Sequence, residues 1–79
     1  MFEERVVLPG GEVLELKLLN EMQYSLTFRQ GRKTLVEYKG NGTRHGRTVR
    51  GRDSAYEFKS VEKLRYDFER DAEDAERQA

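Results

Sequence analysis

The hydrophobic period of this chain changes once. Before residue 59 apolar side chains recur at every second position in short runs, and from Val61 onward they recur at every third or fourth. A period of two marks a strand with one buried face, and a period near 3.6 marks an amphipathic helix. Such a chain places its strands first and a single helix last. With 79 residues it forms one domain, residues 1–79, with a small core and little burial to spare over chain entropy.

The runs are punctuated by turn residues. Phe2 to Leu8 ends at Pro9-Gly10-Gly11, and Leu14, Leu16 and Leu18 then alternate with Glu15 and Lys17. Asn20-Glu21 predicts the next turn, followed by Tyr24, Leu26 and Phe28 alternating with Ser25, Thr27 and Arg29. After Gln30-Gly31-Arg32, the run Lys33 to Lys39 places Thr34, Val36 and Tyr38 on one face, and Leu35 and Glu37 on the other. Gly40 to Asp53 loses the alternation: it has four glycines, four arginines and one aliphatic residue, Val49. It reads as a long loop, with at most a short strand around Arg47 to Arg50. Ala55 to Phe58 then gives a last strand with Tyr56 and Phe58 inward.

Ser60 fits a helix N-cap and Glu62 suits the positive end of the helix dipole. Val61, Leu64, Phe68, Ala72 and Ala75 form the apolar stripe of a helix over about 61–75, followed by a fraying, solvated tail. The expected fold is α+β: an antiparallel meander of four or five short strands, spanning about 2–58, packed against one C-terminal helix.

Charge is segregated along this frame. Between Arg29 and Arg52 there are eight basic residues and one acid, Glu37, so the segment carries a formal +7 while the whole chain is neutral. Such a stretch lies in water or against a negative partner. Arg44, Arg47, Arg50 and Arg52, supported by Arg32 and Lys33, are the candidate anion-binding residues, because guanidinium groups grip phosphate oxygens bidentately. The functional expectation is a non-enzymatic module that contacts nucleic-acid phosphates with little sequence specificity. The alternative is a protein-interaction module, an adaptor, inhibitor or homo-oligomer such as a homodimer, whose basic loop meets an acidic surface such as the acidic helix of a second copy. Tyr66 lies off the apolar stripe and reads as a sheet-edge contact or an exposed partner contact.

Other chemistries find no constellation. There is no cysteine, the only histidine is His45, and Ser25, Ser54 and Ser60 sit in strand or cap contexts, so no catalytic residue is assigned. His45 reads as a loop histidine between Arg44 and Arg47 that repel a cation, and no metal or other cofactor is expected. Asp67, Asp71 and Asp74 share one side of the helix and read as a solvated face. Gly40 and Gly46 are separated by five residues instead of four and Arg47 follows, which departs from the spacing and the lysine of a phosphate loop. The aromatics Tyr24, Phe28, Tyr38, Tyr56 and Phe58 share faces with leucines and read as core, not as a base-stacking platform. The absence of cysteine, of an apolar run near the roughly 20 residues of a membrane span, and of basic residues at the very start predict a cytoplasmic protein.

Overall fold

Alternating runs joined by very short turns can only lie side by side, and they do. The computed structural model describes residues 2–20 and 22–78. Its elements are β1 (Phe2–Val7), β2 (Val13–Asn20), β3 (Gln23–Gln30), β4 (Lys33–Asn41), β5 (Arg44–Val49), β6 (Arg52–Ala55) and α1 (Val61–Gln78). The strands form one antiparallel sheet in chain order, and α1 packs on one face of it, chiefly over β4. The expected α+β meander is present, with six strands instead of four or five.

The added strands come from the segment expected to be a loop. Asn41 pairs with Arg44, and Val49 with Arg52, so each connection is a two-residue turn. At the second turn Arg50 (φ 51°) and Gly51 (φ 83°) are both left-handed, as a type I′ hairpin turn requires. The Arg50 amide donates to the Leu35 carbonyl at 2.8 Å, which ties this turn to β4. β5 carries few apolar residues because its inward face holds His45, which meets Tyr24 and Phe58, and Arg47, which meets Asp71 of the helix. The final strand correspondingly lies earlier than Ala55 to Phe58. The Tyr56 amide still donates to the His45 carbonyl at 3.0 Å, after which Tyr56 and Phe58 turn inward onto the core as expected.

Two further expectations shift by local geometry. A bulge opposite Arg29 pairs that residue with Thr34 and leaves Leu35 extra, so Leu35 packs on the core and Thr34 is exposed. Of the Asn20-Glu21 turn, Glu21 lies outside the described residues, while Asn20 Oδ1 accepts the Met22 amide at 2.7 Å.

The helix begins where its cap predicts, with the Lys63 amide donating to Ser60 Oγ at 3.1 Å. It continues to Gln78, past the expected end near residue 75, because Ala72 and Ala75 still press on the sheet; Ala79 lies outside the described residues. Leu64, Phe68, Ala72 and Ala75 meet Leu16, Tyr24, Leu26, Phe28, Val36 and Tyr38 in the buried core. Tyr24 lies flat on Gly40, its cross-strand partner, where any Cβ would collide with the ring.

Candidate functional site

In a meander, alternate turns share an end of the sheet, and this rule sorts the six candidate cations. The β3–β4 turn, which carries Arg32 and Lys33, lies at the same end as the β5–β6 turn, which carries Arg50 and leads into Arg52. The Val36–Val49–Arg52 cross-strand row and the Arg50 to Leu35 hydrogen bond hold the two turns beside each other. At strand spacings of about 4.8 Å the four side chains emerge within roughly 15 Å across the sheet. Arg32, Lys33 and Arg52 are exposed and make no ion pair among the described residues. Their charge therefore faces solvent.

Arg44 is separated from this group. It opens β5 at the opposite end of the sheet, beside a shallow crevice that also involves Lys39, Asn41, Thr43, His45 and Tyr56.

Arg47 turns the other way. Its Nε lies 2.8 Å from Asp71 Oδ2 on the helix, without the alignment of a hydrogen bond, and its guanidinium sits over the Tyr38 ring at 5.8 Å from the centroid. Tyr38 Oη donates to the same Asp71 oxygen. The charge of Arg47 is thus matched inside the fold, though its side chain still borders a surface crevice with Val49, Arg50, Arg52, Asp53 and Ser54. Grouping Arg44, Arg47, Arg50 and Arg52 as one basic loop is accordingly corrected. Strand alternation turns Arg47 toward the helix, and the two turns send Arg44 and Arg50 to opposite ends.

Of the acidic side of α1, Asp74 is exposed as a solvated face requires, but the other two carboxylates are not. Asp67 and Asp71 are buried, only 8% and 6% exposed. Asp67 accepts from Tyr56 Oη at 2.8 Å and from Lys63 Nζ at 2.8 Å. Burial alone would raise the Asp67 carboxyl, but the hydrogen bonds from Lys63 and Tyr56 and the charges of Lys63 and Arg70 hold it below the usual carboxylate range. The hydroxyls of Tyr38 and Tyr56 are pushed far above the ordinary tyrosine value, first by burial and then by their bonds to Asp71 and Asp67. A signal for this network existed in the sequence. Asp67 and Asp71 sit four apart, each one residue before or three after Phe68, so both border the apolar stripe.

His45 lies in β5 and not in a loop. Its Nδ1 is 2.7 Å from Tyr24 Oη, and its ring stacks against Tyr24 and Phe58 with centroids 5.5 Å away from each. Burial raises the Tyr24 hydroxyl. Among the described residues no group of three or more His, Cys, Asp or Glu is arranged to hold a metal ion. Tyr66 is 59% exposed on the outer side of α1, between Lys63 and Arg70, so the sheet-edge reading of this residue is overturned. No described helix is long and apolar enough to cross a membrane.

The chain matches no protein-family model, no curated protein and no solved structure.

Proposed function

We propose that this protein is a non-enzymatic binding module that engages nucleic-acid phosphates with low sequence specificity through Arg32, Lys33, Arg50 and Arg52. The observation that carries this reading is the meeting of two basic hairpin turns at one end of the sheet. Arg32, Lys33 and Arg52 are exposed cations on or beside neighbouring two-residue turns and make no ion pair among the described residues, so a phosphate backbone meets them at little further entropic cost. Among the described residues Arg32, Lys33 and Arg52 have no aromatic ring contact to form a stacking platform, which is why contact with phosphates, and not with bases, is proposed. Arg47 takes a supporting place at the rim of the crevice, and Arg44 has no part in this patch.

Fluorescence anisotropy against labelled single- and double-stranded DNA and RNA tests the reading. With three to four phosphate contacts, affinity for duplex DNA should fall by roughly a hundredfold between about 50 and about 200 mM salt. Replacing Arg32 and Arg52 together by alanine should lower the log–log salt slope by about two, whereas Arg44→Ala should leave it nearly unchanged. Absence of binding at low salt to all four polymers would overturn the proposal.

A further inference from the structure

The sheet has two unlike edges. β6 is four residues long, follows a left-handed turn and carries Arg52 next to Arg50. β1 is six residues long, has neither proline nor bulge, and is exposed throughout. Natural sheets usually shorten, bend or interrupt a free edge, since its unpaired N–H and C=O groups recruit another strand. β1 keeps a straight, regular edge. Next to it α1 covers β2 only in part, and a cavity of about 300 Å³ opens there among Phe2, Leu16, Leu18, Leu26, Val61 and Leu64.

We infer that β1 is the interface of a two-fold dimer, pairing antiparallel with β1 of a second copy about an axis through Glu4. The residues of β1 are self-complementary in that register. Glu3 lies opposite Arg5 of the second copy and Arg5 opposite its Glu3, on the open face; Phe2 lies opposite Val6 and Val6 opposite Phe2, on the helix face. The face assignments follow from the pairing of Phe2, Glu4 and Val6 with Leu18, Leu16 and Leu14. At the axis Glu4 meets its own copy, and each Glu4 has an Arg65 guanidinium at 3.3 Å to offset the like charge.

Other alignments fail. An axis through Arg5 sets arginine against arginine and Glu4 against Val6, and an axis between two residues turns the helix of one copy to the open face of the other. Pairing β6 with β6 offers only four residues to each copy. Only the Glu4 axis joins opposite charges and apolar side chains at once, and it closes after two copies. It draws Phe2 and Val6, now 43% and 38% exposed, into one apolar strip continuous with the cavity of each copy. This interface is independent of the phosphate reading, since its residues lie on the edge remote from Arg50 and Arg52.

Sedimentation velocity over a range of concentrations is the test. The unaltered chain should move from one to two chain masses as concentration rises. Glu3→Arg and Arg5→Glu, each alone, place like charges opposite each other twice per dimer and should weaken association about tenfold. Mixed together they restore both pairs, so the mixture should dimerise where neither variant does. Val6→Lys, which leaves the Arg5–Glu15 neighbours in place, should weaken association as well, and circular dichroism reports that each variant is folded. A chain that stays monomeric at every concentration, or charge variants that associate as well alone as mixed, would overturn the inference.

Discussion

The two flanks of α1 are sealed by different chemistry. Toward β1 and β2 the helix meets leucines and an open apolar cavity, with one exposed ion pair, Arg65 to Glu4, at the rim. Toward β5 and β6 it meets two tyrosine hydroxyls and Arg47, which converge with the helix's own Lys63 on the buried carboxylates of Asp67 and Asp71. A single cross-strand row spans both flanks: Glu4, Leu16, Leu26, Tyr38, Arg47 and Ser54. The apolar flank tolerates a gap because dispersion is non-directional. The polar flank is directional, so it fixes where β5 sits and how far the helix rotates. One side supplies cohesion and the other supplies register.

Cutting the apolar flank should cost the most. Leu64→Ala removes a side chain only 1% exposed, and the expected loss is about 2–5 kcal/mol, near the upper end if the new space merges with the existing cavity without collapse. Urea unfolding monitored by circular dichroism gives the value. A loss under about 1 kcal/mol would mean that the helix closes over the gap, and that the cavity lining is more compliant than its neighbours imply.

Cutting the polar flank should cost less, and in a way that can be reversed. Asp71→Ala leaves the Tyr38 hydroxyl without its acceptor and Arg47 without its counter-charge, for an expected loss of about 2–4 kcal/mol. Adding Tyr38→Phe and Arg47→Met removes the stranded groups, and the triple variant should recover at least half of that loss. The apolar flank offers no such recovery by further deletion. If the triple variant is weaker than Asp71→Ala alone, the network contributes net stability and not register alone.

The same contrast explains how much of the molecule was legible in the sequence. Alternating leucines and aromatics disclose β2, β3 and the buried half of β4, because burying one apolar face imposes a period of two. β5 has no such alternation. Its inward residues are His45, Arg47 and Val49, two of them polar, and a polar residue facing a buried partner is indistinguishable in sequence from one facing water. The hairpin signal was nevertheless written in Gly42-Thr43 and Arg50-Gly51, whose glycines suit two-residue turns. The basic patch was half legible for the same reason. Composition identifies the cations, but only the pairing of strands tells that Arg47 points to Asp71 and Arg44 to the far end. Asp67 and Asp71 were visible as a helical side, while their burial depended on tyrosines more than ten and thirty positions earlier.

The smallest and most selective probe of the polar flank is pH. Asp67 has a lowered carboxyl in the fold, so its contribution to stability is complete above the unfolded value near 3.9 and is lost as pH falls through the lower folded value. Tyr38 and Tyr56 are raised, so their contribution is complete below about pH 10 and fades as pH climbs from there toward the folded values. Stability should therefore be flat across neutral pH as far as this network is concerned, and should decline beyond both limits. Tyr56→Phe removes one hydrogen bond that lowers Asp67 and one raised phenol at once, so it should flatten the acid and alkaline limbs together. Tyr66→Phe keeps the exposed ring beside Lys63 and Arg70 and removes only a hydroxyl that bonds neither Asp67 nor Asp71, so it should flatten neither. Urea midpoints measured from about pH 3 to about pH 11 for the two variants separate these outcomes. Equal curves for Tyr56→Phe and the unaltered chain would assign the pH dependence to other titrating groups and leave the polar flank as a matter of geometry alone.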